Sequence, residues 1–228
     1  MSLFPRSRHA CGYERQLILK GLLVALLLVP ASSTSAQTVA APRIVVRSYN
    51  TIGLPLPMLD RAESTMRDLL RTAGIDSSWR NCRTAEGPSS QSSDLCNDVL
   101  KASEVIVRIV RAPPAITDVE VLGYSHVDAY RRQGTLATVF ADRVRALAAA
   151  LRIDEGTLLG RAMTHEIGHL LLGSLDHAHE GLMRGHWSAE GRPADWIFSF
   201  TQAEQIRAGV ASRIDDASPA LALARSTR

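Results

Sequence analysis

The chain has 228 residues, 26 of them Lys or Arg and 23 Asp or Glu, and 46% of it is apolar. That length and apolar content suffice for one domain with a buried core, and they exclude a disordered or low-complexity chain. The basic balance, with a pI near 9.0, comes from the first residues and does not extend to the rest. Arg6, Arg8, Arg15 and Lys20 precede the apolar run Gly21–Val29, which Pro30 ends, and small residues fill positions 31–36. Basic lead, apolar run and small residues in that order form a secretory signal, with cleavage expected between Ala36 and Gln37. A membrane-spanning helix needs about 20 apolar residues, roughly twice this run. The expectation is therefore an exported protein, secreted or periplasmic, with no stable membrane association after cleavage. No cysteine follows the run, which argues against a lipid anchor. Without these four basic residues and Glu14, 22 basic and 22 acidic residues remain. No basic excess survives for nucleic acid, and the pair Arg131-Arg132 reads as a solvated loop.

In chain order, Arg43–Tyr49 is short and rich in β-branched residues and predicts a first strand. Met58–Ala73 places Leu59, Ala62, Met66, Leu69 and Leu70 at helical spacing, with Gly74 as the stop. Trp79–Asn97, loaded with Ser, Asn, Gly and Pro, predicts a loop. Cys11 leaves with the leader, so Cys82 and Cys96 remain as an even pair in an exported chain, which predicts a disulfide. Closing a loop of about 15 residues contributes roughly 3 kcal/mol in the chain-entropy account. Glu104–Arg111 predicts a second strand ended by Pro113-Pro114. Val119–Val127 and Gly134–Phe140 predict two more, joined by a polar connection. Asp142–Leu151 predicts a helix, and Asp154 an N-cap for the next one, which runs to about Leu172. Thr201–Glu204 reads as a capping box opening a last short helix. The domain is expected over residues 37–215, after the leader 1–36, with 216–228 as a flexible tail.

The chemistry lies in Thr164-His165-Glu166-Ile167-Gly168-His169. Helical residues four apart share a face, so His165 and His169 can present two imidazole nitrogens to one metal ion. Zinc takes such ligands at about 2.0–2.1 Å, and a catalytic site keeps three protein ligands and an open position. Glu166, one step around the helix, can reach a water in that position and serve as general base. The H-E-x-x-H pattern on a predicted helix, among Leu and Ile in an exported chain, makes Zn2+ the expected cofactor.

Downstream come Gly173, Asp176, His177, His179 and then Gly181-Leu182-Met183. This arrangement resembles the metzincins, matrixins and archaemetzincins among them. There the helix stops at a glycine, a third histidine completes the zinc site and a methionine turn lies beneath it. The chain is also similar to small exported bacterial zincins, through Tyr49-Asn50, Ala73-Gly74-Ile75 and Trp79 with Cys82. The resemblance implies an α+β fold of α/β/α type, with a small mixed, twisted sheet whose antiparallel edge strand packs on the active-site helix. It implies a zinc endopeptidase, a peptide or protein substrate paired along the edge strand near Val121–Asp128, and Met183 as the methionine turn.

The family spacing is H-E-x-x-H-x-x-G-x-x-H, whereas here Gly173 falls one residue later and His177 two later. His177 is expected as third ligand over His179. Glu180, Glu190 and Glu204 remain as carboxylate alternatives, and a secreted zinc-binding protein without turnover remains as the non-enzymatic one. Asp176 is expected to hold a ligand ring from behind. His126 reads as an ordinary strand histidine, and His186 and Trp187 as residues packed under the site. The stretch between Gln37 and the first strand is too short for a folded pro-domain, so any latency would come from a separate inhibitor or from zinc supply.

Overall fold

The computed structural model describes residues 41–82, 96–187 and 193–216. The expected leader, the cleavage point, the loop residues 83–95, Glu190 and the tail from 217 lie outside them.

Five strands form one mixed sheet: β1 (Arg43–Asn50), β2 (Asp76–Asn81), β3 (Glu104–Val110), β4 (Gly123–Asp128) and β5 (Gln133–Phe140). The order across the sheet is β2-β1-β3-β5-β4. The first four are mutually parallel, and β4 runs antiparallel to β5 at the edge. Alternation sends Ile44 and Val46 of β1 and Val105, Val107 and Ile109 of β3 into the core, each at most 1% exposed. Strands with this many buried aliphatics suit the middle of a parallel sheet.

Among the described residues, four α-helices accompany the sheet: α1 (Leu56–Thr72), α2 (Ala141–Leu151), α3 (Glu155–Leu172) and α4 (Phe200–Asp216). Helix α1 turns its apolar stripe of Leu59, Ala62, Met66, Leu69 and Leu70 inward. It begins before Met58 because proline is tolerated in a first turn, where its missing N–H has no partner to lose. Helix α3 is buried nearly all round, as befits a helix enclosed by the sheet and by α1, α2 and α4. Asp154 caps it as expected, accepting from the Thr157 N–H at 2.8 Å. Two helix glycines set how close α1 comes: a Cβ at Gly160 would stand 2.5 Å from the Ala62 carbonyl oxygen.

Three expectations need correction. Trp79–Asn81 is not loop but the end of β2, paired in parallel with Val46–Ser48. Its hydroxyls and amides mask the pattern, yet Trp79 lies against the core. The fourth strand begins at Gly123, not Val119, because residues 119–122 are drawn toward α2. There the Arg143 guanidinium donates to the carbonyls of Ile116, Asp118 and Val121. The last capping box is Ser199–Gln202 rather than Thr201–Glu204. Ser199 Oγ accepts from the Gln202 N–H at 3.2 Å, and Gln202 Oε1 accepts from the Ser199 N–H at 2.9 Å. The helix it opens has 17 residues and is not short.

The Cys82–Cys96 disulfide is present, with Cα atoms 5.7 Å apart. Next to it, Arg47 and Glu104, each 2% exposed, form an ion pair. Arg47 also donates to the Asp98 carbonyl at 2.8 Å, and Glu104 accepts from the Lys101 N–H at 3.0 Å. Burial alone would raise the Glu104 pKa, but the Lys101 N–H and the guanidinium groups of Arg47 and Arg80 outweigh it and hold it below the ordinary value.

Two predictions follow from this corner of the fold. Replacing Cys82 and Cys96 together by Ala should lower stability by about 3 kcal/mol, the size expected for a closed loop of this length; denaturant unfolding measures it. A carboxylate with a depressed folded pKa stabilises the fold above its unfolded pKa, and that contribution fades as pH falls through the folded value. Stability should therefore drop below about pH 4.5, with a shallower drop in Glu104→Gln, as followed by melting temperature against pH.

Candidate metal centre

Helix α3 carries His165 and His169 on one face, with rings at 82° and centroids 4.8 Å apart. The helix ends at Gly173, whose φ of 64° is left-handed. A Cβ there would lie 1.9 Å from the Arg132 carbonyl oxygen, so only glycine can make this turn against the β4–β5 hairpin. The reversed chain then passes Ser174 and Asp176, where Ser174 Oγ donates to the Asp176 carboxylate at 2.6 Å and accepts from the Asp176 N–H at 3.0 Å. This small turn delivers His177 to the helix, its ring stacked on His165 at 25° with centroids 5.2 Å apart.

The three Nε2 atoms converge. His165 Nε2 lies 3.1 Å from His169 Nε2 and 3.3 Å from His177 Nε2. Backbone carbonyls fix the tautomers of the two helix residues. His165 Nδ1 is 2.8 Å from the Leu182 oxygen, and His169 Nδ1 is 2.9 Å from the Ser174 oxygen. A carbonyl only accepts, so each Nδ1 carries the hydrogen and each Nε2 presents a lone pair. Two lone pairs at 3.1 Å cannot hydrogen-bond to each other and call for a cation between them. Tetrahedral zinc with nitrogens at about 2.0–2.1 Å sets neighbouring ligands roughly 3.3 Å apart. The donor set fits.

Electrostatics agree with that fit. Burial, and next the charge of His169, push the His165 pKa down to about 3. Burial likewise lowers His169. Both rings are neutral at physiological pH, which is the ligand form. Glu166 is 6% exposed. Burial pushes its pKa up to about 7, against the opposing hydrogen bond from Ser125, into the range where a carboxyl group can both take and give a proton.

Beneath the helix, Gly181 with φ 78° turns the chain, and the Ala178 N–H donates to the Met183 carbonyl at 2.8 Å. Met183 is fully buried, and a Cβ on Gly168 would meet its sulfur at 2.5 Å. The methionine thus lies directly under the helix between the two ligands. Trp187 stands edge-on to His165 at 5.6 Å and meets Trp196 at 5.3 Å, while the Arg161 guanidinium covers Trp196 at 3.9 Å.

Among the described residues, the group able to hold a metal is His165, His169 and His177. His179, Glu180 and Glu204 are exposed and outside it. His126 is an exposed residue of β4, edge-on to Tyr124. Asp176 differs from expectation. The His165 and His169 rings are held by backbone carbonyls, and the Asp176 carboxylate pairs with Ser174. His186 does not pack under the site either; it is exposed and pairs with Glu120 at 3.0 Å. Both residues line a cavity of about 490 Å³ that reaches His165 and Glu166, with Leu122, Leu147 and Ala162 among its apolar walls. Sequence reasoning passed over Ser125, whose hydroxyl lies 2.7 Å from a Glu166 carboxylate oxygen. A lone serine in a strand carries no signal until its register against α3 is known.

No family model matches the chain, and no curated protein sequence matches it. Among solved structures it is similar to an archaemetzincin from Methanopyrus kandleri, at 15% identity and TM-score 0.48, covering 76% of this chain and 99% of that one. It is also similar to a zinc-dependent peptidase from Methanocorpusculum labreanum, at 13% identity and TM-score 0.40, covering 72% and 99%. Likeness at this level assigns no activity; the chemistry has to come from the side chains.

The geometry of the third histidine is open to direct measurement. His177→Ala should weaken binding of a divalent metal by at least 10-fold, the lower end for altering a metal's surroundings, and His179→Ala should leave it unchanged. Competition with a chromophoric chelator reads both, and the reverse outcome would shift the loop register by two residues.

Proposed function

We propose that the chain is an exported zinc-dependent endopeptidase, with zinc held by His165, His169 and His177 and Glu166 as general base. One observation carries the reading: three imidazole lone pairs converge beside a buried carboxylate, at the wall of a cavity large enough for a side chain. A closed structural zinc site would use a fourth protein ligand, and among the described residues no fourth metal-ligating side chain joins the three.

When bound, zinc would supply a water of lowered pKa and polarise the scissile carbonyl. The work of the chain's own residues follows from their placement. Among the described residues, strand β4 pairs only with β5, so its other edge offers N–H and C=O groups to an extended peptide. The cavity beside His165 receives one substrate side chain. The Glu166 carboxylate takes a proton from the attacking water as its oxygen joins the carbonyl carbon. It then gives that proton to the amine nitrogen as the C–N bond breaks. The leader 1–36 would deliver the catalytic unit, residues 37–215, outside the cytoplasm. Substrates are peptides or proteins met there.

Glu166→Gln should keep about one zinc per chain and lose at least 10²-fold in peptide cleavage, the size of a general-base contribution. Metal analysis and turnover on a broad peptide library measure the two; undiminished turnover would overturn the mechanism. A wild-type protein that holds zinc yet cleaves nothing in that library would instead be a binding protein without turnover.

A further inference from the structure

We propose that Ser125 is a positioning residue for Glu166, its hydroxyl fixing the orientation of the carboxyl group; this rests on the general-base reading above. Ser125 is on the edge strand. Its neighbours Tyr124 and His126 are exposed, while alternation turns Ser125 toward α3, where it is 8% exposed. Ser125 Oγ lies 2.7 Å from Glu166 Oε2 and 2.8 Å from the Glu166 carbonyl oxygen. A hydroxyl has one hydrogen to donate and can accept as well. By donating to Oε2 from a hydroxyl that also lies against the Glu166 backbone, Ser125 ties the end of the Glu166 side chain to β4.

The neighbouring strand position leaves room for this. A Cβ at Gly123 would stand 3.0 Å from Glu166 Oε1 and 2.4 Å from the Thr138 carbonyl oxygen. The Thr138 contact is backbone and cannot yield, so a side chain at 123 would force β4 outward and take Ser125 with it. Strand β4 thus aligns the base with one residue while its outer edge stays free for pairing.

The test uses the full chain with zinc, in wild-type protein and in Ser125→Ala, Ser125→Thr, Glu166→Gln and the double variant Ser125→Ala/Glu166→Gln. Zinc per chain, melting temperature, KM and kcat are measured on a peptide the wild type cleaves, and crystal structures of wild type and Ser125→Ala are compared. We expect Ser125→Ala to keep its zinc, its melting temperature and its KM, and to lose about 10- to 100-fold in kcat, the scale of one hydrogen bond to a charged group. Ser125→Thr should recover most of that loss. The double variant should be no slower than Glu166→Gln alone, since without the base there is nothing to position. The Glu166 carboxylate should turn away from β4 in the Ser125→Ala crystal structure. Wild-type kcat in Ser125→Ala, losses that multiply in the double variant, or a carboxylate that stays in place would each overturn the proposal. Turnover surviving in Glu166→Gln would overturn the general-base reading itself, whereas an inactive Glu166→Gln beside a fully active Ser125→Ala would remove Ser125 alone.

Discussion

Two backbone carbonyls, those of Leu182 and Ser174, determine what the helix histidines can do. By accepting from Nδ1 they take up the one hydrogen a neutral imidazole has and leave its Nε2 lone pair facing inward. With His177 stacked alongside, its Nε2 lies 3.3 Å from that of His165, itself 3.1 Å from that of His169, so three ring nitrogens meet within 4.8 Å of one another. Without a cation this is a repulsive arrangement of aligned dipoles, and burial makes protonation an expensive escape, since it holds His165 at a pKa of about 3. Much of the surrounding fold serves to hold those carbonyls. Leu182 is presented by a tight turn whose own N–H donates to the Ile197 carbonyl at 2.8 Å. Ser174 is presented by the left-handed exit at Gly173.

The same helix has to bury a carboxyl group one residue away. An isolated carboxylate in an apolar interior costs several kcal/mol, and a protein either pairs it or lets its pKa rise. Burial raises the Glu166 pKa to about 7, against the hydrogen bond from Ser125. Arg47–Glu104, on the adjacent strands β1 and β3, shows the contrasting solution. That carboxylate is surrounded by guanidinium groups and a backbone N–H and stays ionised. One buried glutamate is locked and structural, the other is left able to exchange a proton. The difference lies in the partners each meets: guanidinium groups and a backbone N–H at Glu104, a serine hydroxyl at Glu166.

Residues acting through short range were legible in sequence; those acting through tertiary register were not. The i, i+4 histidines, the Asp154 cap and the aliphatic strands around Val46 and Val107 follow from local periodicity, and each element was found nearly where expected. The mixed sheet with an antiparallel edge strand on the motif helix was expected from the metzincin resemblance, and β4 takes that position. Strand β2 escaped notice because Asp76-Ser77-Ser78 has turn chemistry, and only parallel pairing with β1 makes it a strand. The capping box slipped by two residues because Ser199–Gln202 and Thr201–Glu204 satisfy the same spacing, and the chain's entry from the buried Phe198 decides between them. Ring support from carbonyls rather than Asp176, and the exposed Glu120–His186 pair, depend on where two loops cross, which no periodicity encodes.

The end of the motif helix, where the chain turns toward His177, is held by Arg213. This α4 guanidinium is 4% exposed and donates both to the Leu170 carbonyl, at 2.7 Å, and to the Gly134 carbonyl in β5. Leu170 belongs to the last turn of α3, where carbonyls have no N–H within the helix to meet. A cation at that end also suits the helix dipole. Arg213 thus ties the end of the motif helix to the strand following the β4–β5 hairpin, the hairpin whose Arg132 carbonyl lies against Gly173. The turn at Gly173 is thus gripped from outside by α4 and by the hairpin, and the chain that returns His177 to the two helix histidines starts from that fixed point.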